Sequence, residues 1–176
     1  MTFDELIQLA REQANEVQRD KGTLFEKIAQ IYFKNEPTYK NLFSDVWLLN
    51  EVPEEYVIPK KDTGVDLVAR NEATGELTAI QAKFYDNKIY KRHIDSFLAE
   101  LGKSYYSDGI IVYSSDSLSS NADEAINQLS KPVAQIGLSD LRNSQVDWES
   151  FIPSRPNEVK VKNTKKTRPY QNDAID

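Results

Sequence analysis

A mixed β-sheet carrying helices on both faces is the α/β architecture this sequence predicts, and three observations lead to it. Two apolar, β-branched stretches flank Glu72-Ala73-Thr74-Gly75-Glu76, so residues 66–83 read as two strands joined by a tight turn. Gly109-Ile110-Ile111-Val112-Tyr113 and Val133-Ala134-Gln135-Ile136-Gly137-Leu138 read as later strands separated from the hairpin and from each other by helical stretches, the pattern of crossover connections. Amphipathic helices open the chain.

In order, Phe3, Leu6, Ile7, Ala10, Ala14 and Val17 recur at three- and four-residue spacing, which describes a packing helix over 3–19. A second helix runs from Thr23 to Phe33, with Glu26 at the capping-box position, and Asn35-Glu36-Pro37 ends it because proline disfavours helical geometry in the residue before it. Glu26 therefore has two readings: a capping residue on a solvated turn, or a carboxylate facing the hairpin. Val46-Trp47-Leu48-Leu49, inside 43–52, is a first strand, and Pro53 to Pro59 a charged connector. Gly64 then admits a close backbone approach or a positive φ just before Asp66. Asp62, four residues before Asp66, is explained by turn chemistry.

After Lys83 comes Phe84-Tyr85-Asp86-Asn87-Lys88-Ile89-Tyr90-Lys91-Arg92-His93, the densest mix of aromatic and basic residues in the chain. It reads either as a phosphate-tracking rim formed by Lys88, Lys91, Arg92 and His93 or as a solvated face over aromatic packing. Ile94, Phe97, Leu98 and Leu101 continue it as a helix up to Gly102. The serines between 114 and 120 resemble a nucleophile cluster but have no histidine near them in sequence, and helix capping explains them better. Ala122 to Leu129 is a short helix, and Ser139-Asp140-Leu141 starts another turn. From Pro153 the composition changes to lysines and prolines with little apolar content, which reads as a linker.

Composition removes several classes of function. Across 176 residues the chain is 39% hydrophobic and 28% charged, enough for one domain with a real core. Without cysteine there is no disulfide framework, zinc–thiolate site or cysteine nucleophile, and the single histidine excludes a multi-histidine metal centre. No apolar run approaches the roughly 18 residues of a membrane span, so a cytoplasmic protein is expected, with no membrane partner. A net charge of −6 argues that any nucleic-acid affinity is local or borrowed from a partner.

Asp66 enters the first hairpin strand, and Gln81 and Lys83, two apart in the second, share a face. Burying a carboxylate, an amide and an ammonium together is costly unless they are paired, hydrated or bound to an ion. Hydrolysis of a phosphodiester can use such elements: oxygen ligands for Mg²⁺ from Asp66 and from backbone or Gln81 oxygens, a group beside water and phosphate in Lys83, and a second negative charge, which Glu26 would restore from its helix in its hairpin-facing reading.

Gly22-Thr23-Leu24-Phe25-Glu26, Gly64-Val65-Asp66-Leu67 and Ile80-Gln81-Ala82-Lys83, in that order, resemble the Mrr-like branch of the PD-(D/E)xK nuclease superfamily, over about Gly22 to Leu141. The resemblance implies a restriction-endonuclease-like mixed sheet flanked by helices and a Mg²⁺-dependent site cutting double-stranded DNA. Asp66 and Gln81 would be the metal ligands, Lys83 would activate water, and Glu26 would assist. Gln81 stands where the family usually has an acid, a known variant. Arg168-Pro169-Tyr170-Gln171 followed by Ala174-Ile175 looks like the opening of a superfamily 2 helicase-like ATPase, in which Gln171 would recognise adenine. Nuclease, basic linker and motor in this order are similar to Type ISP restriction-modification enzymes, which also carry methyltransferase and target-recognition domains and use ATP. The expected organisation is a nuclease domain at 1–152, a linker at 153–167 and the truncated start of the motor at 168–176. An autonomous or methyl-directed Mrr-type nuclease and a catalytically silent docking domain are the alternatives. No phosphate loop occurs in the chain, so ATP hydrolysis belongs to the longer polypeptide.

Overall fold

A computed structural model of the chain describes residues 1–16, 23–61, 63–115 and 117–162. Helices α1 (Phe3–Glu16), α2 (Thr23–Asn35) and α3 (Pro37–Lys40) lead into strand β1 (Phe43–Leu48), which two short 3₁₀ turns connect to the hairpin of β2 (Leu67–Asn71) and β3 (Leu77–Lys83). Thereafter helix and strand alternate: α4 (Lys91–Leu101), β4 (Tyr106–Tyr113), α5 (Ser120–Asn127), β5 (Val133–Ile136) and α6 (Leu138–Arg142). The sheet order is β1-β2-β3-β4-β5; β1, β2 and β3 pair antiparallel, and β3, β4 and β5 pair parallel. The mixed sheet expected from sequence is therefore present.

The hairpin turn is locally determined. Asn71 Oδ1 accepts from the N–H groups of Ala73 (2.9 Å) and Thr74 (3.0 Å), and Gly75 takes a φ of +76°, a region glycine enters without steric cost. Register then follows, with Leu67 opposite Ile80 and Ala69 opposite Thr78. Alternation along the strands divides the apolar residues between two cores. On one face Leu67, Ile80, Ile110 and Val112 pack with Phe3, Leu6 and Ile7 of α1 and with Phe25, Ile28 and Phe33 of α2. On the other, Val68, Ala79 and Ile111 pack with Ile94, Phe97 and Leu101 of α4 and with Ala122 and Ile126 of α5. A strand that is apolar on both faces, such as β3, has to lie inside such a sandwich.

One expectation changes. Residues expected as linker from 153 begin inside the fold: Pro156–Glu158 form a 3₁₀ turn and β7 (Lys160–Val161) pairs with β6 (Val146–Asp147). Ser150 Oγ accepts from the Lys160 N–H (2.8 Å), and the Lys162 N–H donates to Gln145 C=O (2.6 Å), so backbone pairing holds a segment whose lysines still face water. The first helix is described to Glu16, and the rest of its expected span, 17–19, lies outside the described residues. Val17, Gly22, Asp62, Asp116, Gln171 and all of 168–176 lie outside the described residues.

Candidate active site

Asp66 is anchored before its side chain is considered. Its N–H donates to Ile80 C=O (2.8 Å) and its C=O accepts from the Leu49 N–H (2.9 Å), which clamps the residue between β3 and the end of β1. The carboxylate Oδ2 then accepts from the Ala82 N–H at 2.8 Å. Gly64 lets the preceding loop come this close: at φ +74°, a Cβ there would sit 2.8 Å from the Phe97 nitrogen and 3.3 Å from Gln81 Nε2.

Gln81 follows on β3 and is 2% exposed. Its Oε1 is buried without a hydrogen-bond partner among the described residues, an arrangement that costs free energy unless something else approaches that oxygen. Lys83 ends the strand on the same face, and Glu26 arrives from α2. Glu26, Asp66, Gln81 and Lys83, together with Phe84 and Tyr85, line one cleft of about 230 Å³. Glu26 is half-buried and faces the hairpin, the second of its two sequence readings.

Burial, opposed by the Ala82 N–H and by Lys83, pushes the Asp66 carboxyl up to about 6. Burial and then the Asp66 charge push Glu26 up to about 7. Two carboxyls that resist ionising, beside an orphaned amide oxygen, form a set of hard oxygen donors with unmet demand for positive charge. Among the described residues no three His, Asp or Glu side chains gather around one point, so a divalent cation here would rely on Gln81 and on water or substrate oxygens beside Asp66 and Glu26. The residues fit Mg²⁺ on those terms.

The basic rim is arranged unevenly. Lys88, Lys91 and Arg92 are exposed at the start of α4; Lys91 pairs with Asp95 (2.8 Å), and the Arg92 guanidinium lies 4.9 Å from the Tyr90 ring centre. His93 turns inward by comparison, its Nδ1 accepting from the Tyr90 N–H (2.9 Å) and its ring meeting Tyr85 edge-on at 4.7 Å. Burial, with Arg92 and Lys83 nearby, holds its pKa below the ordinary histidine value and favours the uncharged ring.

Three residues take roles that the sequence did not single out, Phe84, Tyr85 and Ser114. Phe84 packs on Phe25 at 5.1 Å, next to Glu26, and so ties the end of β3 to α2. Ser114 anchors Tyr85. Position two after Lys83 was the available signal for Tyr85, whereas nothing local in sequence marks Ser114, which meets it across 29 residues. The capping expected of the serine cluster is met by Ser119, whose side chain accepts from the Ala122 N–H.

A hairpin within a mixed five-stranded sheet thus brings an acid, an amide and a lysine to one cleft beside a helix-borne acid. The restriction endonuclease family designated Mrr_cat_2 matches residues 34–158, and the chain belongs to it and is a DNA endonuclease. Glu26 precedes the matched segment, so its place in the site rests on geometry.

Among solved structures, the ATP-dependent Type ISP restriction-modification enzyme LlaBIII bound to DNA is similar over 99% of this chain, at 55% identity and a TM-score of 0.83. This chain spans 10% of that enzyme's length. The DNA modification-dependent restriction endonuclease AspBHI (18% identity, TM-score 0.53) is similar in fold over 80% of this chain and 34% of its own. MspJI restriction endonuclease in complex with a 27-mer oligonucleotide (19%, TM-score 0.50) is similar over 77% of this chain and 29% of its own. No curated protein sequence matches. No helix among the described residues is long and apolar enough to cross a membrane.

Proposed function

We propose that this chain is a Mg²⁺-dependent endonuclease domain that hydrolyses phosphodiester bonds of double-stranded DNA, linked in its natural polypeptide to an ATP-driven translocase and to methyltransferase and target-recognition domains. The observation that carries the chemistry is the convergence of Glu26, Asp66, Gln81 and Lys83 on one cleft at the end of β3. The 55% identity to one-tenth of a Type ISP enzyme supports the coupling, as does the helicase-like segment containing Gln171. Lys88, Lys91 and Arg92 offer positive charge to the DNA backbone from the α4 side.

In this site Asp66, Gln81 and Glu26 would hold the cation, which when bound polarises a phosphate oxygen and neutralises charge. Asp66 is oriented for that by the Ala82 N–H, and Gln81 by its burial in β3. Lys83, lining the same cleft at the end of β3, would stabilise the negative charge that grows on the attacking water and the phosphate oxygens.

Plasmid cleavage tests the reading. The chain, and then the longer polypeptide with ATP, is incubated with supercoiled DNA and Mg²⁺ or Mn²⁺, wild type against Lys83→Ala. Metal-dependent nicking by wild type alone is expected. Nicking without ATP by the longer polypeptide at its full rate would argue against coupling, and equal nicking by both proteins would remove the site.

A further inference from the structure

Tyr85 lies two residues beyond Lys83, and the Lys83 ammonium sits 5.5 Å from the centre of its ring. An aromatic face attracts a cation at that distance through its quadrupole. Tyr85 is itself held at its backbone and at its ring. Ser114 Oγ accepts from the Tyr85 N–H (2.9 Å) and donates to the Tyr85 C=O (3.0 Å), so one hydroxyl serves both backbone groups of that residue. Ser114 is 9% exposed, and its own N–H donates to the Lys83 C=O at 3.1 Å, joining β4 to the end of β3. From the other side the His93 ring abuts Tyr85, and the loop between them is sewn down where Ile89 bridges Leu118.

We infer that Tyr85 is a positioning residue for this nuclease: its ring, carried on a backbone clamped by Ser114 and packed against His93, holds the flexible Lys83 ammonium in the cleft ahead of substrate binding. A lysine carries a flexible four-carbon stem, and a catalytic group that already occupies its working place avoids an ordering cost at the moment of reaction. The ring does this work and the phenol hydroxyl does not. This inference rests on the reading of Lys83 as the group that acts at the phosphate.

Two measurements test it. In the first, the lysines of the chain are ¹³C-methylated and the Lys83 resonance is assigned by its loss in Lys83→Ala. Ring current shifts that resonance upfield in wild type and in Tyr85→Phe and returns it to the ordinary lysine position in Tyr85→Leu; an ordinary position in wild type overturns the inference whether or not the chain cuts DNA. In the second, plasmid cleavage at saturating DNA falls roughly ten- to a hundredfold in Tyr85→Leu, with KM for DNA and the thermal midpoint unchanged, and Tyr85→Phe restores it. Phe and Leu equally slow, or a change confined to KM, overturns the positioning role. Lys83→Ala cutting like wild type would overturn the site itself, whereas an inactive Lys83→Ala beside a fully active Tyr85→Leu would overturn only the part assigned to Tyr85.

Discussion

The cleft and the basic rim carry opposite charges under opposite conditions. Asp66 and Glu26 are drawn out of water at the end of a sheet, where each pushes against ionisation, while Lys88, Lys91 and Arg92 stand in solvent and cost the fold almost nothing. The difference separates two kinds of functional residue. A buried acid that is only partly compensated costs the fold free energy that a bound cation would offset, whereas an exposed lysine acquires meaning only when a polyanion arrives. Substitutions in the two regions should therefore differ in kind as well as in size.

The largest effect is expected in the cleft. Asp66→Ala should lower the cleavage rate by a factor on the order of 10² or more with the fold retained, read as plasmid nicking beside a circular-dichroism melt. Loss of the native melt would instead make Asp66 a structural residue, and the contrast with the rim would collapse.

Next comes stability without metal. Both carboxyls have folded pKa values above their ordinary ones, at about 6 and about 7, so between roughly pH 4 and 7 the folded chain binds more protons than the unfolded one. Stability is then greatest at the acid side of that window, falls as pH rises through it, and is fully reduced above pH 7. The contribution is on the order of 3 kcal/mol from Asp66, to which the partly exposed Glu26 adds a smaller, solvent-screened amount. Denaturant titrations at pH 5 and pH 8 measure it; Asp66→Asn should flatten the difference, and Mg²⁺ at pH 8 should recover it by binding the folded state. A pH-independent wild type would contradict the assigned burial.

The rim is expected to act on affinity alone. Replacing Lys88, Lys91 and Arg92 with alanine should weaken DNA binding roughly tenfold at low salt and reduce the slope of log K against log salt by about 0.9 for each phosphate that the rim no longer neutralises. Stability should move by less than about 0.5 kcal/mol, since the Lys91–Asp95 pair is half-exposed on both sides. An unchanged salt slope would return these residues to an ordinary solvated face. The smallest effect is expected from Gln81→Glu, which keeps cleavage and tightens Mg²⁺ a few-fold, because a carboxylate oxygen binds a hard cation more strongly than an amide oxygen. Calorimetric Mg²⁺ titration would show it, and weaker binding would mean that the amide N–H groups toward Gly64 matter more than the oxygen.

Much of this was legible from local patterns. Glu72 to Glu76 mark the turn, the period of two puts Gln81 and Lys83 on one face, and the apolar stretch Gly109 to Tyr113 marks a buried strand. Glu26 was legible only as a choice, because a capping acid and a cleft acid look alike at the start of a helix. The segment after residue 153 was misread because two-residue strands carry no periodicity, and lysine-rich composition conceals backbone pairing such as that of Lys160 with Asp147.

Sequence by itself thus determined the order of the main helices and sheet strands, the hairpin and the three polar groups at its end, all of which follow from interactions within a few residues or from strand periodicity. Tertiary structure alone decided that α2 turns Glu26 into the cleft, that Gln81 Oε1 is left without a donor, and that Ser114 grips Tyr85 beneath Lys83. Those contacts join residues tens of positions apart, and their burial, which sets both the carboxyl pKa values and the demand for a cation, exists only once the two helical layers have closed over the sheet.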